Sequence, residues 1–212
     1  MKYMKVRLTF TESILGTSPS DPEIYRSFIG SKAPDAATID EEVAALGPDA
    51  VAENQMTIFP TLEDGTPFLY DYQIKGFFKD TCGGLRRVPG TRSSKVKAFK
   101  KEIDKLIFTY PRHIPFENVE EILECQRPLR AQTAQGERIT LAMSEEIPAG
   151  AVVEFRIKLY CDEHYELVKE WLDYGEDSGI GQWRNASHGR FVWEELDGSG
   201  NVIGGNKAAA MR

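Results

Sequence analysis

Two stretches of this 212-residue chain alternate strictly between apolar and polar positions. Met4, Val6, Leu8 and Phe10 alternate with Lys5, Arg7 and Thr9; Val153, Phe155, Ile157 and Leu159 alternate with Glu154, Arg156, Lys158 and Tyr160. Successive side chains of a strand point to opposite faces, so each stretch predicts a strand with one buried face. Shorter strands are predicted at Met56–Pro60, Leu106–Tyr110, Cys125–Arg130, Arg138–Ser144 and Phe191–Leu196. Glu63-Asp64-Gly65-Thr66-Pro67 and Gln135-Gly136 read as turns, and Pro111 and Pro115 as strand breakers.

Three segments carry the helical period instead. Ile74, Phe77, Phe78 and Cys82 share one face and leave Lys75 and Lys79 one turn apart on another, with an end expected at Gly83-Gly84. Val96, Phe99, Ile103 and Leu106 form the inner face of a second helix, with Lys97, Lys100, Lys101 and Lys105 outward. Pro89–Ser94 between the two reads as a flexible basic loop. Asp162 caps a third helix whose buried face is Leu167, Val168, Trp171 and Leu172, with His164 at the core edge. Further helices are expected at 22–29 and 41–46, the latter ended by Gly47-Pro48.

Strand, helix, strand followed by strand, helix, strand predicts an α+β fold, a ferredoxin-like (RRM-like) βαββαβ core with helical and β-hairpin insertions. One domain is expected over 1–196, with an acidic helical insertion near 38–55, a basic helical segment at 72–105 and a flexible tail from 197 to 212.

Composition narrows the function classes. No run approaches the ~18 apolar residues of a membrane span, and Met1-Lys2-Tyr3-Met4-Lys5 leads directly into the first strand, so a cytoplasmic protein without a signal peptide is expected. Cys82, Cys125 and Cys161 lack paired spacing, which predicts free thiols and neither a structural metal nor a cofactor. The net charge of -7 argues against a general affinity for nucleic acid. It is unevenly spread: residues 72–105 hold ten Lys or Arg against three acids, a local +7, which leaves -14 for the rest of the chain. That pattern fits a basic stripe on an acidic body, or equally a solvated helix face.

The densest polar chemistry lies between the third helix and the last strand, in Ser178-Gly179-Ile180-Gly181-Gln182-Trp183-Arg184-Asn185-Ala186-Ser187-His188-Gly189-Arg190-Phe191. Glycines there allow positive φ, turn N–H groups can form an anion-binding concavity, and Arg184 and Arg190 supply guanidinium forks. A plain glycine-punctuated connection is the competing reading.

This loop resembles the glycine-rich signature of the RAMP superfamily, the repeat-associated RNA-binding proteins of CRISPR systems. Gly179 and Gly181 match its first pair, Arg184 lies in the spacer, and Ser187 with Gly189 occupies the second, where Ser187 departs from glycine. Tyr72-Gln73-Ile74-Lys75-Gly76-Phe77-Phe78-Lys79 is similar to the Lys-Gly helix start of the backbone-subunit branch, and Glu145–Gly150 ahead of a strand, a helix and the loop fits the same branch. The resemblance implies binding of single-stranded, guide-like RNA through its backbone. Partners would be RNA, further copies of the chain or other subunits of a ribonucleoprotein complex, and no membrane. Lys75, Gly76, Lys79, Arg86, Arg87 and Arg92 on the basic segment and Gly179, Gly181, Trp183, Arg184, Ser187, Gly189 and Arg190 in the loop would contact RNA, with Trp183 or His188 stacking on a base. In the branch that cuts target RNA, Asp21 matches the position of a metal-assisting aspartate; its plain reading is a turn former before Pro22. The guide-processing branch would make the chain an endoribonuclease, with His188 or His113 as the general base or acid. A third reading is a phage-borne anti-defence protein that mimics or caps a nucleic-acid-binding complex or sequesters a nucleotide signal.

Overall fold

A computed structural model describes residues 1–19, 56–133 and 136–207. Asp21, the helices expected at 22–29 and 41–46 and the acidic insertion near 38–55 lie outside the described residues. The sequence reading takes 1–196 as one domain, whereas contacts divide the chain into two compact units, one of Met1–Ile14, Pro60–Glu121 and Pro148–Arg212, the other of Leu15–Phe59 and Ile122–Ile147.

In the first unit β1 (Lys2–Phe10) is central. It pairs antiparallel with β10 (Val152–Leu159) on one side and β11 (Phe191–Leu196) on the other. Beyond β10 lie β6 (Ile107–Tyr110) and β7 (His113–Glu117), and β5 (Phe68–Tyr70) pairs with β7. If β6 and β7 are taken as the second core strand, the order fourth, first, third, second is that of the ferredoxin-like fold, with every neighbouring pair antiparallel. Helices α1 (Asp71–Leu85) and α3 (Glu163–Asp173) make the two crossovers.

Met4, Val6, Leu8 and Phe10 of β1 and Phe155, Ile157 and Leu159 of β10 are buried, as the alternation demands. Ile74, Phe77 and Phe78 of α1 and Leu167, Val168, Trp171 and Leu172 of α3 complete this core. Its aromatics meet at angles suited to their quadrupoles: Phe78 is 5.4 Å from Trp171 and Phe77 is 5.3 Å from Phe191. Helix α1 begins where the Tyr70 N–H donates to Gln73 Oε1 at 2.6 Å. It continues through Gly83-Gly84 to Leu85, past the expected end. Helix α2 (Phe99–Leu106) follows a short 3-10 turn at Ser93–Lys95.

Two expectations of flexibility meet specific contacts. The Glu170 carboxylate accepts hydrogen bonds from the Arg92 N–H (2.6 Å), the Ser93 N–H (2.9 Å) and the Ser93 hydroxyl (2.6 Å), and the buried Trp171 Nε1–H donates to that hydroxyl. The basic loop is therefore fastened to α3. After Asp197, whose carboxylate accepts the N–H groups of Ser199 and Asn201, the chain turns into β12 (Val202–Gly205), which pairs with β11. The expected tail is a hairpin through Gly205.

The second unit holds most of a five-stranded sheet, to which the two-residue strands β2 (Ile14–Leu15) and β3 (Ser18–Pro19) belong. Its main feature is a hairpin of β8 (Leu123–Thr133) and β9 (Gly136–Ile147), in register from Leu123↔Glu146 to Thr133↔Gly136. Strand β4 (Thr57–Ile58) joins it in parallel, with Thr57 Oγ1 and Ser144 Oγ 2.8 Å apart.

One contact in the first unit sets a pH limit. The Tyr165 hydroxyl donates to both oxygens of the buried Glu195, at 2.8 and 2.7 Å. Burial, and then the hydrogen bond and charge of Glu195, push Tyr165 up to about 12. The folded state holds this proton more tightly than the unfolded chain, where tyrosine titrates near ~10. The stabilisation is whole below pH ~10 and is lost as pH rises through about 12. Two pH units correspond to less than about 3 kcal/mol, and to less again for a ring with partial exposure. Urea unfolding of wild type and Tyr165→Phe across this window should show their stabilities converging; parallel curves would remove the assignment.

Candidate nucleic-acid interface

The loop after α3 owes its shape to glycine. A short helix α4 (Gly175–Ser178) ends at Gly179, with φ 66°, and Gly181 and Gly189 also have positive φ, 94° and 73°. The loop closes on itself: the Ile180 N–H donates to Gly189 O at 2.9 Å, and the Gly189 N–H to Ser13 O at 2.7 Å. A Cβ on Gly189 would stand 1.8 Å from Ile180 O, and one on Gly179 2.7 Å from His188 O. These two glycines are required by the loop's own backbone crossing, whatever else the loop does. Trp183 and Ser187 also adopt the left-handed region, and they flank a 3-10 turn at Arg184–Ala186.

Trp183 is exposed and stacks on His188, with ring centroids 5.1 Å apart and planes 17° apart. His188 Nδ1 lies 3.0 Å from the Ser13 hydroxyl. Arg190 is turned inward: its Nε is buried without a hydrogen-bond partner, while its carbonyl accepts from the Thr11 N–H.

Arg184 reaches away from the loop and pairs with Asp80 of α1, Nη1 to Oδ2 at 2.5 Å. This contact brings the loop to the exposed face of α1. Along that face runs a groove of about 970 Å³, lined by Gly76, Lys79, Asp80, Gly83, Gly84, Arg86 and Arg87 of the α1 segment, Phe99 and Lys100 of α2, and Tyr174 and Ser178 at the start of the glycine-rich segment. Gly76, Asp80, Gly83 and Gly84 recur at helical spacing, so one stripe of α1 forms the floor. A Cβ at Gly76 or Gly84 would meet nothing within 4 Å, and one at Gly83 would make only ordinary contact with Phe99. The fold has no steric need of glycine at Gly76 or Gly84, although each costs a helix about 1 kcal/mol relative to alanine.

The cations around this floor differ in availability. Lys79 Nζ pairs with Asp104 at 2.5 Å, and the Arg86 guanidinium lies 5.0 Å over the Phe99 ring. Arg87 and Lys100 are exposed. Lys75 does not line the groove. Its Nζ sits 4.5 Å above the Phe108 ring and 3.3 Å from Asp104 O, and burial lowers its pKa against the raising charges of Asp104 and Asp71. Arg92 lies apart, 3.4 Å from Glu166.

The structure thus brings Gly76, Lys79, Arg86 and Arg87 to one groove, with Arg184 tied to its floor through Asp80, and leaves Lys75, Arg92 and the loop residues Gly179, Gly181, Trp183, Ser187, Gly189 and Arg190 outside the lining. Sequence reading missed Asp80 and Lys100 in the groove and Glu170 beneath the basic loop. Asp80 was legible in principle, since it stands four residues after Gly76 and so shares its face.

No protein-family model matches the sequence, and no curated protein matches it. Among solved structures, the fold is similar to a chain in the cryo-EM structure of the Type III-B Cmr-beta bound to cognate target RNA, with a TM-score of 0.50 and 10% identity, covering 90% of this chain and 58% of that one. The chain spans less than two thirds of that protein's length. At this identity the likeness is one of fold, and it agrees with the ferredoxin-like α+β architecture expected from the sequence. No helix among the described residues is long and apolar enough to cross a membrane.

Proposed function

We propose that this protein binds RNA, holding a single strand by its sugar-phosphate backbone in the groove over α1, as a RAMP-like subunit of a CRISPR-type ribonucleoprotein complex. The observation that carries this reading is the floor of the groove. Gly76 and Gly84 weaken the helix, answer no internal contact, and lie beneath a rim of Lys79, Arg86, Arg87 and Lys100. A bare helix backbone under cations suits a ligand that is anionic, extended and must come close, which describes a nucleic-acid backbone better than a compact metabolite. The similarity in fold to a chain of an RNA-bound complex supports the same direction. A confined basic groove also reconciles RNA binding with a net charge of -7, because residues 72–105 carry a local +7 while the rest of the chain sums to -14.

The test uses opposite signs. Gly76→Ala and Gly84→Ala should each stabilise the protein by about 0.5–1 kcal/mol, since both sites are helical with open space. Each should also weaken binding of single-stranded RNA, about tenfold, by raising the floor. Thermal melts and fluorescence anisotropy with a labelled oligoribonucleotide read the two effects. Stabilised variants with unchanged affinity would overturn the groove as the RNA site.

A further inference from the structure

We propose that the face of the sheet turned away from the helices carries a second RNA contact, a platform on which single-stranded bases stack, built from Tyr3, Tyr110 and Tyr160 with Lys158 and Arg156 among them. The inference rests on the reading that RNA is the ligand, and adds to it a site that recognises bases where the groove recognises phosphates.

Register places these residues side by side. Lys158 of β10 is opposite Tyr3 of β1 and Phe108 of β6, and Arg156 is opposite Lys5 and Tyr110. Directly opposed residues share a face, and their neighbours Met4, Ile157, Ile107 and Thr109 are buried on the other. Tyr3, Tyr110 and Tyr160 are 62%, 44% and 52% exposed, which gathers three uncovered rings on β1, β6 and the residue that follows β10. With strands ~4.8 Å apart and ~3.4 Å per residue, the backbone positions of Tyr3 on β1 and Tyr110 on β6, two strands and two residues apart, are separated by about 12 Å. That spread suits successive bases of an opened strand and exceeds one small ligand.

The cations favour nucleic acid over an apolar partner. Lys158 Nζ lies 4.9 Å from the Tyr160 ring centroid and 6.0 Å from that of Tyr3, and Phe108 meets Tyr160 edge to face at 5.8 Å. Glu154 in the next row is neutralised: burial alone would raise its pKa, but Lys5 at 2.8 Å and Arg7 hold it below the usual carboxylate range. Among the described residues no carboxylate pairs with Arg156 or Lys158. Rings that stack and cations that meet the adjoining phosphates are the two components of sequence-tolerant single-strand binding.

The experiment compares a short oligouridylate with an abasic ribose-phosphate strand of equal length. The Tyr3→Ala/Tyr160→Ala variant should bind oligouridylate at least tenfold more weakly, from the ordinary worth of base stacking, and bind the abasic strand as wild type does. Tyr3→Phe/Tyr160→Phe, which keeps the rings, should retain wild-type affinity, and both variants should melt normally because the side chains are exposed. If the alanine variant binds oligouridylate unchanged while groove variants lose it, the platform is overturned and the groove stands. If wild type binds neither strand, both fall. If the alanine variant instead changes the mass of the protein in solution without altering RNA affinity, the face is a protein interface and the proposal is wrong.

Discussion

Gly189→Ala is expected to lower the melting temperature by about 10 °C. Gly189 is buried with φ 73°, and its missing Cβ would stand 1.8 Å from the carbonyl oxygen of Ile180. That oxygen belongs to backbone, and the two residues are already joined by the hydrogen bond from the Ile180 N–H to Gly189 O. Relief therefore requires the crossing to open. A left-handed non-glycine residue costs ~1–2 kcal/mol and overpacking a further ~1–3, so a total near 3 kcal/mol is reasonable. At ~2–4 °C per kcal/mol for a chain of this size the shift follows. Ser187→Gly is the internal contrast. Ser187 has φ 73° with a side chain in place, so glycine there should leave stability unchanged or raise it by up to ~1 kcal/mol. Differential scanning calorimetry of both variants checks the pair; equal and small shifts would mean the loop is not held by this crossing.

The contrast also separates what the sequence could and could not reveal. Alternation in β1 and β10 and the helical faces of α1 and α3 were legible because a buried face imposes a strict period, and those four elements are the centre of the ferredoxin-like order. The glycine loop was visible as composition, but the structural share of its glycines was not, since a backbone crossing between Ile180 and Gly189 leaves no periodic trace. The glycines of α1 were misleading in the other direction. Gly83-Gly84 reads as a helix stop, yet the helix continues because Phe77, Phe78 and Cys82 bury its opposite side, and tertiary packing outweighs a propensity of ~1 kcal/mol. Likewise Pro89–Ser94 has the composition of a mobile loop, and only the fold brings Glu170 beneath it. Lys75 and Lys79 lie on one helical stripe by spacing, but Asp104 and Phe108, contributed by later elements, draw Lys75 aside.

Removing the four groove cations together, as Lys79→Ala/Arg86→Ala/Arg87→Ala/Lys100→Ala, should reduce RNA affinity on the order of a thousandfold while leaving the fold intact. All four line the groove. At about 1 kcal/mol for each charged contact the loss is about 4 kcal/mol. Stability should change little. Lys79 has a partly exposed partner in Asp104 and Arg86 a single ring contact with Phe99, interactions worth about 1 kcal/mol or less. The sharper reading is the salt dependence. Each phosphate neutralised on a single strand contributes a slope of about -0.7 in log affinity against log salt, so four contacts give about -3 and their removal should flatten the dependence by that amount. Asp80→Asn should move affinity the other way, by a few-fold, because it removes the negative charge on the groove floor and releases Arg184 from its pair. Lys75→Ala should leave the slope nearly unchanged, because its ammonium is held against Asp104 O and the Phe108 ring outside the groove. The three results together locate the phosphates. A slope that persists in the quadruple variant, or falls as much in Lys75→Ala, would place the RNA elsewhere on the molecule.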